Sequence, residues 1–333
     1  MNVAVFEEVR PPEGAVHLPL GCREPPTRWF RGRFDEVEGV LPRFDRRPFA
    51  LGTPDSHANE LLDVVVSRPS ARGGWSACPV GVVSKSYRLI AHDEAAALVA
   101  SAMRGAGLEP EGLDTHASLT HHGARMALEV NLPSEWRMDP PDGHPVLLQL
   151  RCLNSVDGTS PLRVALVWYR LVCTNGLLVG TTRDRRSFAH RAATRLEDVE
   201  EFFARGLRDA RVERLTMASW HEVPIAPEAL AAFADGALKE AWGVVDAARF
   251  LHVARTGRDA ELADRFQAGP PSAKRMVTTV AVPGSPEQAR TAWDIAQALS
   301  WVARGRADAG EHLRRLMEIP ALLDSLLDGG GPA

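Results

Sequence analysis

Seven arginines lie between Arg163 and Arg195, and Asp184 is the single acid among them, so the stretch carries a formal charge of +6. Trp168, Tyr169 and Phe188 stand among these cations. Cations spaced along a segment can follow phosphates, and aromatic faces can stack bases that a single strand leaves free; such stacking contributes about 1–3 kcal/mol per base. On this chemistry Arg170, Arg183, Arg185, Arg186 and Arg191 are the candidate phosphate contacts. Tyr169 and Phe188 are the stacking candidates, and His190 is an auxiliary contact. Trp168 and Tyr169 occupy adjacent strand positions and face opposite sides of a sheet, which sends at least one of them into the core. The competing reading of Arg183–Arg195 is a solvated loop, neutralised by Glu197, Asp198, Glu200 and Glu201 that follow it.

Other chemistry is less well supported. His116, His121 and His122, with Asp114 or His144, could approach a metal, but no standard ligand spacing appears. Cys173 with His190 would make a nucleophile and base, yet Cys173 sits in an apolar run beside a tight turn. Asp157 with His190 and Arg170 would suit phosphodiester hydrolysis only if further carboxylates joined them to hold Mg²⁺, and none do in that segment. No phosphate-cradling glycine loop occurs. No catalytic residue, metal or cofactor is therefore assigned. Near the N-terminus, Trp29, Phe30, Phe34, Phe44 and Phe49 alternate with Arg28, Arg31, Arg33, Arg43, Arg46 and Arg47. They read first as aromatics pinning an arm with arginines solvated outside, and second as a stacking and phosphate surface.

The elements that must position these residues fall into three segments. Residues 1–74 are broken by prolines and read as a peripheral arm, with a short helix near Asn59–Val65. Residues 75–195 read as a core of strands and one helix. Val82–Ile90 is a strand. Asp93–Ala106 is a helix with Gly107 just past its end. Leu113–Thr120 and Arg125–Leu132 form a hairpin through His121-His122-Gly123. Val146–Asn154 and Leu162–Cys173 are strands joined across Asp157-Gly158, and Asn175-Gly176 turns into Leu177–Gly180. Residues 196–333 read as helical, with helices over Glu197–Glu213, Pro227–Ala248, Ser285–Ala303 and Ala307–Leu327, the last ending or interrupted near Pro320. The fold class is α+β: an antiparallel β-meander with a packed helix and a C-terminal helical layer.

Length and composition set bounds. The 333 residues can bury a substantial core. No apolar run of membrane-spanning length and no signal-peptide pattern occur, so a cytoplasmic protein without a membrane partner is expected. Cys22, Cys78, Cys152 and Cys173 are too scattered for a disulfide framework or a cysteine zinc site. The net charge of −4 argues mildly against nucleic acid, but the basic stretch is masked in that total by the acids after it. With Lys85, Lys239 and Lys274 as the only lysines, arginine richness alone reflects composition and not recognition.

Three stretches together resemble the DUF932 family of phage- and plasmid-like proteins. They are Leu153-Asn154-Ser155-Val156-Asp157-Gly158-Thr159-Ser160, Tyr169–Gly180 and Ala189-His190-Arg191. Upstream, Trp75, Val83–Arg88 and His92-Asp93-Glu94-Ala95 fit the same pattern, as does Thr291-Ala292-Trp293-Asp294 downstream. Val156 stands where the family pattern has a His, Ala189-His190 replaces an Arg-His pair, and Arg290 replaces an Asn. The resemblance implies DNA metabolism or the countering of host defence on mobile elements. The meander with its helix is similar, at the level of fold, to Rad52-type strand-annealing proteins, which implies a homo-oligomer. The expected function is binding of single-stranded DNA or RNA, extending to strand annealing in recombination or repair. The alternatives are a protein-interaction module acting on host defence and a metal-dependent nuclease or hydrolase.

Overall fold

Short runs of alternating apolar residues, cut by prolines and glycines, set the order of elements. The computed structural model describes residues 27–50, 57–170, 177–188 (backbone only), 196–305 and 309–329. The chain begins with β1 (Arg28–Arg33), α1 (Phe34–Glu38), β2 (Phe44–Pro48), β3 (Leu62–Ser67) and β4 (Cys78–Ser84). It continues with α2 (His92–Gly105), β5 (Asp114–Thr120), β6 (Arg125–Asn131), β7 (Arg137–Met138), β8 (Val146–Ser155), β9 (Leu162–Arg170) and β10 (Leu177–Phe188). Then follow α3 (Leu196–Ser219), α4 (Pro227–Phe233), α5 (Lys239–Trp242), α6 (Val244–Thr256), β11 (Arg258–Leu262), β12 (Met276–Ala281), α7 (Ala292–Arg304) and α8 (Ala309–Gly329). The fold is α+β, with antiparallel strand pairs and a helical C-terminal region. Among the described residues the strands form a seven-stranded sheet in the order β1-β5-β6-β8-β9-β10 with β7 on β8, a three-stranded sheet β2-β3-β4, and the ribbon β11-β12.

The chain divides into two compact units that interleave along the sequence. One comprises Met1–Pro133, Gln149–Leu166 and Asp184–Leu207; the other comprises Ser134–Leu148, Val167–Arg183 and Arg208–Ala333.

In the first unit, β5 and β6 alternate buried and exposed residues in antiparallel register, with Ala117 opposite Leu128 and Leu119 opposite Met126. The alternation is what one buried face requires. Helix α2 buries Ala95, Ala96, Val99, Ala100, Ala102 and Met103, carries Asp93 and Glu94 in its first turn and Arg104 in its last, and so matches the helix dipole. Gly107, at φ +79°, takes the left-handed position after it, as the sequence implied. The small sheet closes a core of Phe44, Val65, Val83, Ala124 and Val156. The helix expected near Asn59–Val65 is instead strand β3. Val64, Val65 and Val66 are β-branched and pair on both sides, with β2 and β4, which outweighs any local helical tendency. The strand expected over Val82–Ile90 is centred earlier, at Cys78–Ser84.

In the second unit, α7 is buried almost all round, by Trp293, Ile295, Ala296, Leu299 and Val302 among others, as a helix enclosed by α6 and α8 must be. It starts at Thr291, not Ser285: Thr291 Oγ1 accepts from the Asp294 N–H at 3.3 Å, and the Asp294 carboxylate accepts from the Thr291 N–H at 3.0 Å. The single helix expected over Pro227–Ala248 is divided. A π-helical segment at Ala234–Leu238 contains Gly236 at φ −105°, ψ −107°, and Gly243 at φ +88° separates α5 from α6. Helix α8 runs through Pro320 without ending there. No described helix is long and apolar enough to cross a membrane.

Candidate functional site

The turn after β8 gathers one set of sequence motifs in the first unit. Asp157 Oδ1 accepts from Ser155 Oγ at 2.7 Å and from the N–H and hydroxyl of Thr159 at 3.0 and 2.5 Å, while Oδ2 accepts from Arg125 Nε at 2.9 Å. Burial pushes this carboxyl up, but the four donors outweigh it and hold the group below its ordinary range. Gly158 supplies φ +78°. Gly81 of β4 lies against the turn so closely that a Cβ there would sit 2.6 Å from Asp157 Cα. One residue earlier than Ser155, Asn154 donates from Nδ2 to the Ile90 carbonyl at 2.9 Å and lies 3.0 Å from His92 Nδ1. His92 Nε2 is 2.8 Å from the Gly123 carbonyl. A carbonyl only accepts, so Nε2 carries the proton and Nδ1 receives the Asn154 hydrogen bond, which fixes a neutral imidazole. Tyr87 Oη donates to the Ser155 carbonyl at 3.0 Å, and burial with the Asp157 charge pushes its phenol well above the usual range. Tyr87, His92, Asn154, Ser155 and Asp157 thus lock a turn; Asp157, considered for hydrolysis, has both oxygens taken.

A second set converges in the other unit. Arg170 is wholly buried, at 0% exposure. Its Nη2 donates to Asp142 Oδ2 at 2.5 Å and its Nη1 to Gln297 Oε1 at 2.8 Å. Trp293 Nε1 donates to the same Asp142 oxygen at 2.8 Å, the guanidinium lies 5.7 Å from the Trp293 ring centroid, and His221 stacks on that ring at 4.4 Å. Burial raises the Asp142 carboxyl, but the His144 N–H, the Trp293 indole and the Arg170 charge together hold it below the ordinary value. This corrects the expectation that Arg170 contacts phosphate: its charge is balanced inside the fold. Asp142, His221 and Gln297 escaped the sequence reading, and only Trp293, in the Thr-Ala-Trp-Asp element, signalled the site.

The remaining candidates lie along β9 and β10. Trp168 is buried and Tyr169 half-buried, as opposite faces of a strand require. Arg183, Arg185, Arg186 and Phe188 fall on β10, the last strand in the sheet order. Their side chains lie outside the described residues, as do His190, Arg191, Cys173, Cys22 and the Asn175-Gly176 turn. The segment around Arg183–Phe188 is therefore strand, where a loop was the competing reading.

The N-terminal aromatics and arginines divide: Trp29 and Phe49 are exposed, while others pack or pair within the fold. Phe30, Phe34 and Phe44 are buried. Arg28 donates to the Gly73 and Gly74 carbonyls and lies over the Trp75 ring at 4.4 Å. Arg31 pairs with Asp114, Arg33 with Asp35, and Arg46 with Asp63. His116 meets Asp114 at 3.6 Å, and among the described residues no group of three or more metal-binding side chains gathers. Cys152 is buried, which pushes its thiol up to about 12 and leaves it inert.

A family model named Domain of unknown function (DUF932) matches residues 79–317. No curated protein and no solved structure matches the chain. The likeness to strand-annealing folds therefore gains nothing from these comparisons.

Proposed function

This chain belongs to the DUF932 family, and we propose that it binds single-stranded nucleic acid through β10 and the basic segment that follows. The observation that carries this reading is the placement of Arg183, Arg185 and Arg186 on the terminal strand of the seven-stranded sheet, within a stretch of charge +6. Among the described residues β10 ends the sheet order, and basic residues along an edge strand suit a phosphate backbone. Tyr169, half-buried on the neighbouring strand β9, is the stacking residue of described position. Phe188, His190 and Arg191 follow in sequence and are proposed as further contacts. Arg170 is not part of it. Annealing of complementary strands by a homo-oligomer, in recombination or on mobile elements, is the activity this binding would serve.

Fluorescence anisotropy with a labelled 30-nucleotide strand and its duplex, across a salt series, tests the reading. The wild type should prefer the single strand. Arg185→Ala/Arg186→Ala/Arg191→Ala should lower the salt slope by about 2, because each phosphate that a cation neutralises on a single strand adds about 0.7 to it. Absence of binding by the wild type at low salt would sink the proposal and direct attention to a protein partner.

A further inference from the structure

We infer that the loop joining β11 to β12 is a second contact for single strands, in which Phe266 stacks on a base while Arg265 and Arg275 face phosphate. This rests on the reading above and adds a site to it. Phe266 is 93% exposed, the most exposed large apolar side chain among the described residues. A bare aromatic ring on a loose loop would need no explanation, but this loop is built. The Phe266 N–H donates to Asp264 Oδ1 at 2.9 Å, an Asx turn that sets the ring's backbone. Gln267 bridges the loop: its Nε2 donates to the Asp264 and Arg275 carbonyls at 3.1 Å each, and its Oε1 accepts from the Arg275 N–H at 2.7 Å. Lys274 Nζ donates to the Gln267 carbonyl. Outside the bridge, the Ser272 N–H donates to Asp235 Oδ1 at 2.8 Å and Pro271 is buried.

The hydrogen bonds fix the backbone on either side of the exposed ring. Preorganisation of this kind lowers the ordering cost of binding. Charge selects the occupant. Arg265 adjoins the ring in sequence, Arg275 closes the loop, Arg258 begins the ribbon, and all three are exposed without an ion pair among the described residues. Asp264 Oδ1 accepts from the Phe266 N–H. An exposed ring flanked by unpaired arginines fits a base with its phosphates, because every base offers a π-face and guanidinium pairs with phosphate oxygens.

The test compares wild type with Phe266→Ala, Phe266→Leu and Phe266→Trp on a labelled 30-nucleotide oligothymidylate and on an abasic strand of equal length. The exposure of Phe266 leaves folding untouched. On oligothymidylate, Phe266→Ala and Phe266→Leu should bind about 5- to 150-fold more weakly, and Phe266→Trp at least as well as wild type. On the abasic strand all four should bind alike. Wild-type binding that Phe266→Ala leaves unchanged overturns this site and spares the β10 reading. Full affinity in Phe266→Leu overturns stacking. A wild type that binds neither strand overturns both readings.

Discussion

The turn around Asp157 and the cluster around Arg170 answer the same structural demand in different chemical terms. Around Asn154 and Asp157, short polar side chains satisfy backbone carbonyls and each other, and the net charge is cancelled at the surface by Arg125. Around Arg170 a guanidinium is taken into the interior, where the partly exposed Asp142 carboxylate, Gln297 and the face of Trp293 replace its water. Each set includes residues from the stretches that carry the resemblance, and each is held by partners within its own unit. Sequence motifs rich in Arg, His and Asp invite a functional reading, and here the geometry assigns those motifs to positioning.

The contrast predicts an order of sensitivity. Asp142→Ala leaves the buried Arg170 charge without its ionic partner and should cost about 3–5 kcal/mol in guanidinium unfolding. Replacing Arg170 and Asp142 together with apolar residues should cost less than the sum of the two single substitutions, because the pair is coupled. Asn154→Ala should cost about 1–3 kcal/mol by leaving the Ile90 carbonyl and His92 Nδ1 unsatisfied. If Asn154→Ala proves the more damaging, the distinction between ionic and neutral networks is wrong.

Acid should expose what the two regions share. The carboxyls of Asp142 and Asp157 are both held below their ordinary value of 3.8. Each then contributes stability that is complete above about pH 4 and is lost as pH falls through the lower folded value. Unfolding midpoints measured from pH 7 to pH 2 should fall at the acid end, and Asp157→Asn should make that fall shallower. An unchanged acid limb in Asp157→Asn would show that its donors do not discriminate the charged form.

The smallest effect belongs to the hairpin that feeds the first network. His121 and His122 both have positive φ, 54° and 56°, ahead of Gly123 at 83°. His122→Gly should stabilise by up to about 1 kcal/mol, the side-chain penalty in the left-handed region less the entropy glycine gives up on folding. A destabilisation would mean that the His122 side chain contributes something beyond its backbone conformation.

What could be read from sequence was local. Helix α2 with Gly107, the alternation of β5 and β6, and the Asp157-Gly158 turn each follow from neighbours a few residues apart. Errors arose where a distant partner decided. β3 is a strand because β2 and β4 flank it, and α7 begins at Thr291 although Ser285 offers the same capping pattern six residues earlier. Arg170 sits in a run of arginines, but its partners lie 28 residues upstream and 127 downstream, so charge density could not reveal that it is buried. Phe266 carries no pattern at all, and only its exposure in a fixed loop singles it out.

The central claim is that nucleic-acid contact lies on β10 while the Asn154–Asp157 turn positions the scaffold. The most direct measurement is the salt dependence of single-strand binding by wild type, Arg183→Ala/Arg185→Ala/Arg186→Ala and Asn154→Ala, each scaled to its folded fraction. The account predicts a slope lowered by about 2 in the arginine variant and unchanged in Asn154→Ala. A slope that drops in Asn154→Ala and stays unchanged in the arginine variant would contradict it.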